Sequence, residues 1–186
     1  MSSGLLALLA MIFTLILWAI YTYNSLISKQ NDVKNIRSSV DVWLKKRYDL
    51  IPNLVLSVKE YMVFEKETLS KITELRSLAM SAKNGESFEL NSEISSLLNG
   101  IKVAFENYPE LKANENFLHL QKSLNEIEEQ LSAARRAYNA SVMIYNNYTQ
   151  MLPSGLIANL FNFKKESFFE ILSNERENPN VKDLFR

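Results

Sequence analysis

Cysteine is absent from the 186 residues, so the chain has no disulfide framework, no thiol nucleophile and no thiolate metal site. That absence suits either side of a bacterial membrane and decides nothing about compartment. A single histidine, His119, excludes any site built on two imidazoles, and Glu115 four residues earlier does not complete a di-iron motif. Four glycines and four prolines leave few places to turn, which suits long helices. Neither sign of charge is in excess. With 21 Lys plus Arg against 21 Asp plus Glu, the electrostatic case for a nucleic-acid partner falls away. No H-E-x-x-H, G-x-S-x-G or phosphate-binding loop occurs, so neither catalysis nor a cofactor is expected.

What is present begins with Gly4–Tyr23, a stretch crowded with Leu, Ile, Phe and Trp and without a charged side chain. At 1.5 Å per residue it spans roughly 30 Å, the thickness of a hydrocarbon core. Trp18, Tyr21 and Tyr23 gather at its C-terminal end, where amphipathic rings favour the interface. No cation precedes the run and no small-x-small site follows it, which argues for an uncleaved anchor over a signal peptide. The bilayer is thus the first predicted partner, through residues 4–23. Lys29, Lys34 and Arg37 follow the span and place the rest of the chain in the cytoplasm, at the bacterial inner membrane.

From Asn24 onward the periodicity is helical throughout, and the expected fold class is all-α. Val33, Ile36, Val40 and Leu44 recur at steps of three and four, with Trp43 beside them. Pro52 lacks an amide hydrogen and disfavours a helical Ile51, so the spacing predicts a helix corner at Arg47–Asn53. A kinked continuous helix is the alternative. A second helix is expected from about Pro52 to Ala82, then a polar turn at Lys83–Glu89, then a third helix that Pro109 ends. The fourth is the most regular, with Phe117, Leu120, Leu124, Ile127, Leu131, Ala134, Tyr138, Ser141, Tyr145 and Tyr148 alternating by three and four. Asn114 is its predicted N-cap.

Short connections imply an antiparallel, up-down four-helix bundle with coiled-coil-like packing. The bundle brings the Arg47–Asn53 corner to the Asn107–Asn116 turn, and Asn24–Asn31 to Ala140–Gln150. One inconsistency stands out. The fourth helix is about 52 Å long, whereas Asn24–Tyr48 beside it supplies only about 37 Å. Beyond Pro153-Ser154-Gly155, Leu156–Phe163 and Phe168–Leu172 are expected to fold back, capping the bundle base or touching lipid. The predicted domains are an anchor at 1–23, a bundle at 24–172 and a loosely held tail at 173–186.

Four segments carry a family resemblance: YNSLISKQNDV after the anchor, LKKRYDLIPNLVLSVKEY at residues 44–61, ENYPELKANENFLHLQ at the second corner and AARRAYNASVMIYN on the fourth helix, with PSGLIANLFNF following in order. Over residues 20–170 the chain resembles the LemA family. The resemblance implies an N-terminal membrane anchor and a soluble antiparallel helical bundle, without an agreed molecular activity. It also implies a bacterial membrane protein, a divergent branch of the family being tied to organelle membrane formation.

Candidate functional residues are therefore polar ones at structural positions. Arg47 continues the apolar stripe of the first helix, and a cation at a seam needs a carboxylate. Glu106 or Glu115 is the expected partner. Asp49, Asn53 and Asn114 belong to the two corners. Along the fourth helix Arg135, Asn139 and Asn146, with Glu128 and Ser132, run beside the apolar seam as an interhelical hydrogen-bond network or a docking surface. The expected function is a non-catalytic scaffold or adaptor that acts on an unknown protein partner or on itself. A subunit of an enzyme complex and an oligomerising membrane-shaping protein are the alternatives.

Overall fold

A computed structural model describes residues 3–62, 65–82 and 86–169, without the side chains of 86–88. The described residues are helical or irregular, with no strand among them. The elements are α1 (Ser3–Val58), α2 (Lys66–Ser81), α3 (Glu86–Ala104), a 3₁₀ turn (Phe105–Asn107), α4 (Pro109–Lys112), α5 (Glu115–Gln150) and α6 (Ser154–Leu160). The expected tail at 173–186 lies outside the described residues.

The corner expected at Pro52 does not form. Helix α1 runs unbroken through it from Ser3 to Val58, as in the alternative reading. Proline leaves the carbonyl four residues back, that of Tyr48, without its intrahelical donor. Arg76 of α2 supplies the missing donor, its Nε lying 2.7 Å from the Tyr48 oxygen. Burial supplies the rest. Ile51, Leu54 and Val58 around the proline are all buried, each worth roughly 1.5–3 kcal/mol, against about 3 kcal/mol for an interior proline.

The chain turns instead after Val58, whose carbonyl accepts from the amides of both Tyr61 and Met62, at 3.0 and 2.8 Å. Met62 is fully buried by this turn. The second helix accordingly starts at Lys66 rather than near Pro52, and it buries the expected stripe of Leu69, Ile72, Leu75 and Ala79. Helix α3 begins at Glu86, inside the stretch read as a polar turn. Pro109 opens the short α4 at a position that needs no amide hydrogen. Asn114 caps α5 as expected, its Oδ1 accepting from the amide of Phe117 at 3.1 Å. The length inconsistency disappears, because Asn24–Val58 of α1 nearly equals the full length of α5.

The chain divides into two compact units, and α1 and α5 each contribute to both. The first contains residues up to Val40 and Ala134–Phe168. Between Leu5 and Leu17 the apolar side chains of α1 are exposed, so this helix is long and apolar enough to cross a membrane. Burial of one face begins at Thr22 and Leu26. Leu26, Ile157 and Ala158 form a small core, with Ala19, Tyr23, Tyr148 and Phe163 packed against it. Gly155 seats α6 there. A Cβ at that position would lie 3.2 Å from the carbonyl oxygens of both Thr149 and Gln150. The Leu152–Pro153 peptide bond is cis.

The second unit contains residues 41–133 and Phe169. Leu44, Ile51, Leu54 and Val58 of α1 contribute to its core, as do Ile94 and Ile101 of α3 and Phe117, Ile127 and Leu131 of α5. Helices α2 and α3 pack on one another.

Candidate functional site

On α1 the buried residues Leu26, Val33, Val40, Arg47 and Leu54 recur every seven positions. Four of them are aliphatic. The fifth is a guanidinium only 1% exposed, in the second unit. Its Nη1 donates to Ser95 Oγ at 2.7 Å and to Glu128 Oε2 at 3.1 Å. Its Nη2 donates to Asn91 Oδ1 at 2.7 Å and to the Asn91 carbonyl at 3.2 Å. Tyr48 donates its hydroxyl to the same Asn91 Oδ1. Asn91 and Ser95 lie one turn apart on α3, so both face α1, while Glu128 comes from α5. One arginine thus joins three helices.

This corrects the expected partner of Arg47. Glu106 pairs with Lys112 at 2.6 Å, and Glu115 is exposed at the start of α5. The carboxylate that meets Arg47 is Glu128, whose side chain is 43% exposed. It lies 12 positions beyond Asn116 on α5, in keeping with α1 running on 11 residues past Arg47 to Val58 instead of turning at Pro52. The three successive cations at 45–47 separate in role: Arg47 points inward, whereas Lys45 and Lys46 are exposed, with Lys46 Nζ 4.1 Å from the centre of the Trp43 ring.

A cavity of about 70 Å³ adjoins the arginine, lined by Leu54, Ser95, Phe117, Leu124 and Glu128 among others. That is room for a few waters and far below the roughly 300–1,000 Å³ of a small-molecule site. Among the described residues no three His, Cys, Asp or Glu side chains converge as metal ligands do.

The first unit holds a second polar cluster, where α5 grips an irregular segment at 164–167. Tyr138 donates its hydroxyl to the Ser167 carbonyl at 3.0 Å, and Tyr145 donates to that of Lys164 at 2.9 Å. Asn146 binds Glu166 twice, its Nδ2 donating to the carbonyl at 2.8 Å and its Oδ1 accepting from the amide at 2.9 Å. A side-chain amide here pairs with backbone as a neighbouring strand would. Burial raises the Tyr145 phenol above its ordinary range, the nearby Glu166 charge adds to this, and a hydrogen bond with Gln30 works against both. Lys29 lies 5.0 Å from the centre of the Tyr148 ring, so α1 and α5 meet here as the expected pairing of Asn24–Asn31 with Ala140–Gln150 requires.

The remaining predicted residues separate. Asp49 and Asn53 are exposed on α1, and the Asn53 carbonyl accepts from the Ser57 hydroxyl at 2.8 Å. Arg135 and Asn139 are half-buried in the first unit, and neither is without an interaction. Asn146 bonds to the backbone of a non-helical segment rather than to a second helix, which corrects the expected interhelical network at that position. Sequence reasoning missed Asn91, Ser95, Arg76 and the 164–167 segment. Asn91 stands three residues before Ile94 on the same helical stripe, a polar residue at an apolar position, and that spacing was its available signal.

A family model described as the LemA family matches residues 37–182. The protein LemA of Metamycoplasma hominis is 28% identical over 163 residues, covering 87% of this chain and 74% of its own. Magnetosome protein MamQ 2 of Paramagnetospirillum magneticum is 23% identical over 194 residues, covering 90% and 70%. Magnetosome protein MamQ of Magnetospirillum gryphiswaldense is 23% identical over 193 residues, covering 89% and 70%.

Proposed function

The chain belongs to the LemA family, and from that membership we propose that it is a single-pass membrane protein whose helical part acts as a non-catalytic scaffold or adaptor. The span at residues 4–23 holds it in the bacterial inner membrane. The cations Lys29, Lys34 and Arg37 keep the remainder in the cytoplasm, arranged as an antiparallel bundle. Its partner is another protein at the membrane or a second copy of itself.

The observation that carries this reading is where the buried polar groups spend their bonds. Arg47, Asn91 and Asn146, all buried, bind helices and backbone of their own chain. Such groups fix an architecture; none is poised toward a cavity of substrate size. Purifying the detergent-solubilised full chain from cells, with mass spectrometry of what accompanies it, tests the reading. A stoichiometric membrane-protein partner or a stable oligomer is expected, and a solitary monomer overturns it. Phosphatase activity from a reporter fused after Arg186 would overturn the cytoplasmic orientation alone. The likeness to proteins named for magnetosomes favours a second reading, self-assembly that shapes a membrane. An oligomer without a partner protein supports that version.

A further inference from the structure

We propose that α6 and the turn before it form a second lipid contact, a foot that lies in the membrane interface beside the point where α1 leaves the bilayer. The inference rests on the reading of residues 4–23 as a membrane span.

Three observations meet here. The inner face of α6 packs Ile157 and Ala158 against Leu26, Ala19 and Tyr23 of α1. Ala19 belongs to the span, and only about 6 Å of helix rise separates it from Tyr23. Helix α6 is therefore held at the depth where hydrocarbon gives way to headgroups. Phe161 meets Tyr23 with ring centres 4.8 Å apart and planes inclined at 59°, and Gly155 permits the close seat at the end of α5.

The outer face is exposed and mainly apolar, with Asn159 as its polar residue. Leu156 and Leu160, one turn apart on α6, are 61% and 75% exposed, and Leu152 in the turn before it is 76% exposed, with Met151 and Phe161 exposed as well. Ile20 and Tyr21 of α1, in the same unit, are exposed too.

Charge follows the same boundary. No ionisable side chain occurs between Gln150 and Phe163, and the next two residues are the exposed Lys164 and Lys165. An apolar stripe ending in cations is the pattern of an element lying in the interface with its ammonium groups at the phosphates. A protein cover would account for the absence of charge at 151–163, whereas the exposed pair of lysines directly after it matches a phosphate layer.

The chain's lack of cysteine makes the test direct. Single nitroxide labels are placed at Leu8→Cys in the span, and separately at Leu156→Cys and Leu160→Cys, in the full chain in phosphatidylcholine–phosphatidylglycerol vesicles. Collisions are measured with oxygen, which concentrates in lipid, and with a water-soluble nickel chelate. The expected result is that all three labels relax with oxygen and are shielded from nickel, the α6 labels lying roughly 5–10 Å into the headgroup–acyl boundary. A lipid-exposed label at position 8 with nickel-accessible labels at 156 and 160 overturns the foot and leaves the span intact. Labels on α6 shielded from both reagents mean that a second copy or the chain's own C-terminal residues cover the face, which also overturns it. A nickel-accessible label at position 8 removes the span, and the foot with it.

Discussion

Replacing Arg47 with alanine tests what holds the second unit together. The guanidinium makes four hydrogen bonds, two to Asn91, one to Ser95 and one to Glu128. Hydrogen bonds to charged groups are worth about 1.5–3 kcal/mol each, but they share one side chain and do not add. Breaking a buried pair costs about 3–5 kcal/mol when it strands a buried charge. Here the stranded carboxylate is 43% exposed and can rehydrate, and Asn91 keeps the Tyr48 hydroxyl. The loss should therefore fall at the low end, about 3 kcal/mol. Glu128→Gln keeps an acceptor in place and removes only the charge, so its cost should stay below about 1 kcal/mol. Arg47→Met keeps volume without the bonds and should fall between the two. Urea unfolding of the detergent-solubilised chain, followed by helical circular dichroism, measures all three. The reasoning fails if Glu128→Gln costs as much as Arg47→Ala, since the ion pair would then dominate. It fails equally if Arg47→Ala costs under about 1 kcal/mol.

Arg76→Ala should cost about 1–3 kcal/mol, because it leaves the Tyr48 carbonyl without a donor. In a Pro52→Ala background, where residue 52 regains an amide hydrogen, the same change should cost clearly less; equal costs in a double-mutant cycle would refute the compensation. Asn146→Ala removes both bonds to Glu166 and should release the 164–167 segment, read as faster hydrogen exchange at the Glu166 amide with the α5 amides unchanged. Tyr145 gives a pH signature. Its folded-state value lies above the ordinary 10.0, so its contribution is intact below that pH and is lost as pH rises through the higher folded value. Wild type should therefore lose stability faster than Tyr145→Phe as pH rises beyond about 10, and parallel curves would contradict the burial of the phenol.

Much of the fold was legible because it depended on local chemistry. The long apolar N-terminal helix is set by composition, the start of α5 by the Asn114 side chain, and the α2 and α5 stripes by helical spacing. The misread elements were decided at a distance. Proline at 52 predicts a corner from its own chemistry, and that prediction is overturned by Arg76, 24 positions away and visible only once α2 is folded against α1. The true turn at residues 59–62 contains neither glycine nor proline. It forms because turning there buries Met62, a gain that no local propensity records.

The candidate sites show the same division more sharply. Seven-residue spacing on α1 identifies Arg47 as inward-facing, and inwardness predicts a carboxylate; both follow from the helix alone. Which carboxylate depends on how far α1 continues, and that depends on Pro52. The mistaken choice of Glu106 or Glu115 over Glu128 is thus a consequence of the mistaken corner. Asn146 repeats the logic on α5, where spacing gives the face but not the occupant. A helical stripe reports a direction, whereas a partner requires the register of everything packed against it. A leucine at position 47 would be satisfied by many such registers. A guanidinium needs acceptors from α3 and α5 at about 3 Å, which few registers supply together. What the arginine adds to this unit is therefore a restriction on how α1, α3 and α5 can pair.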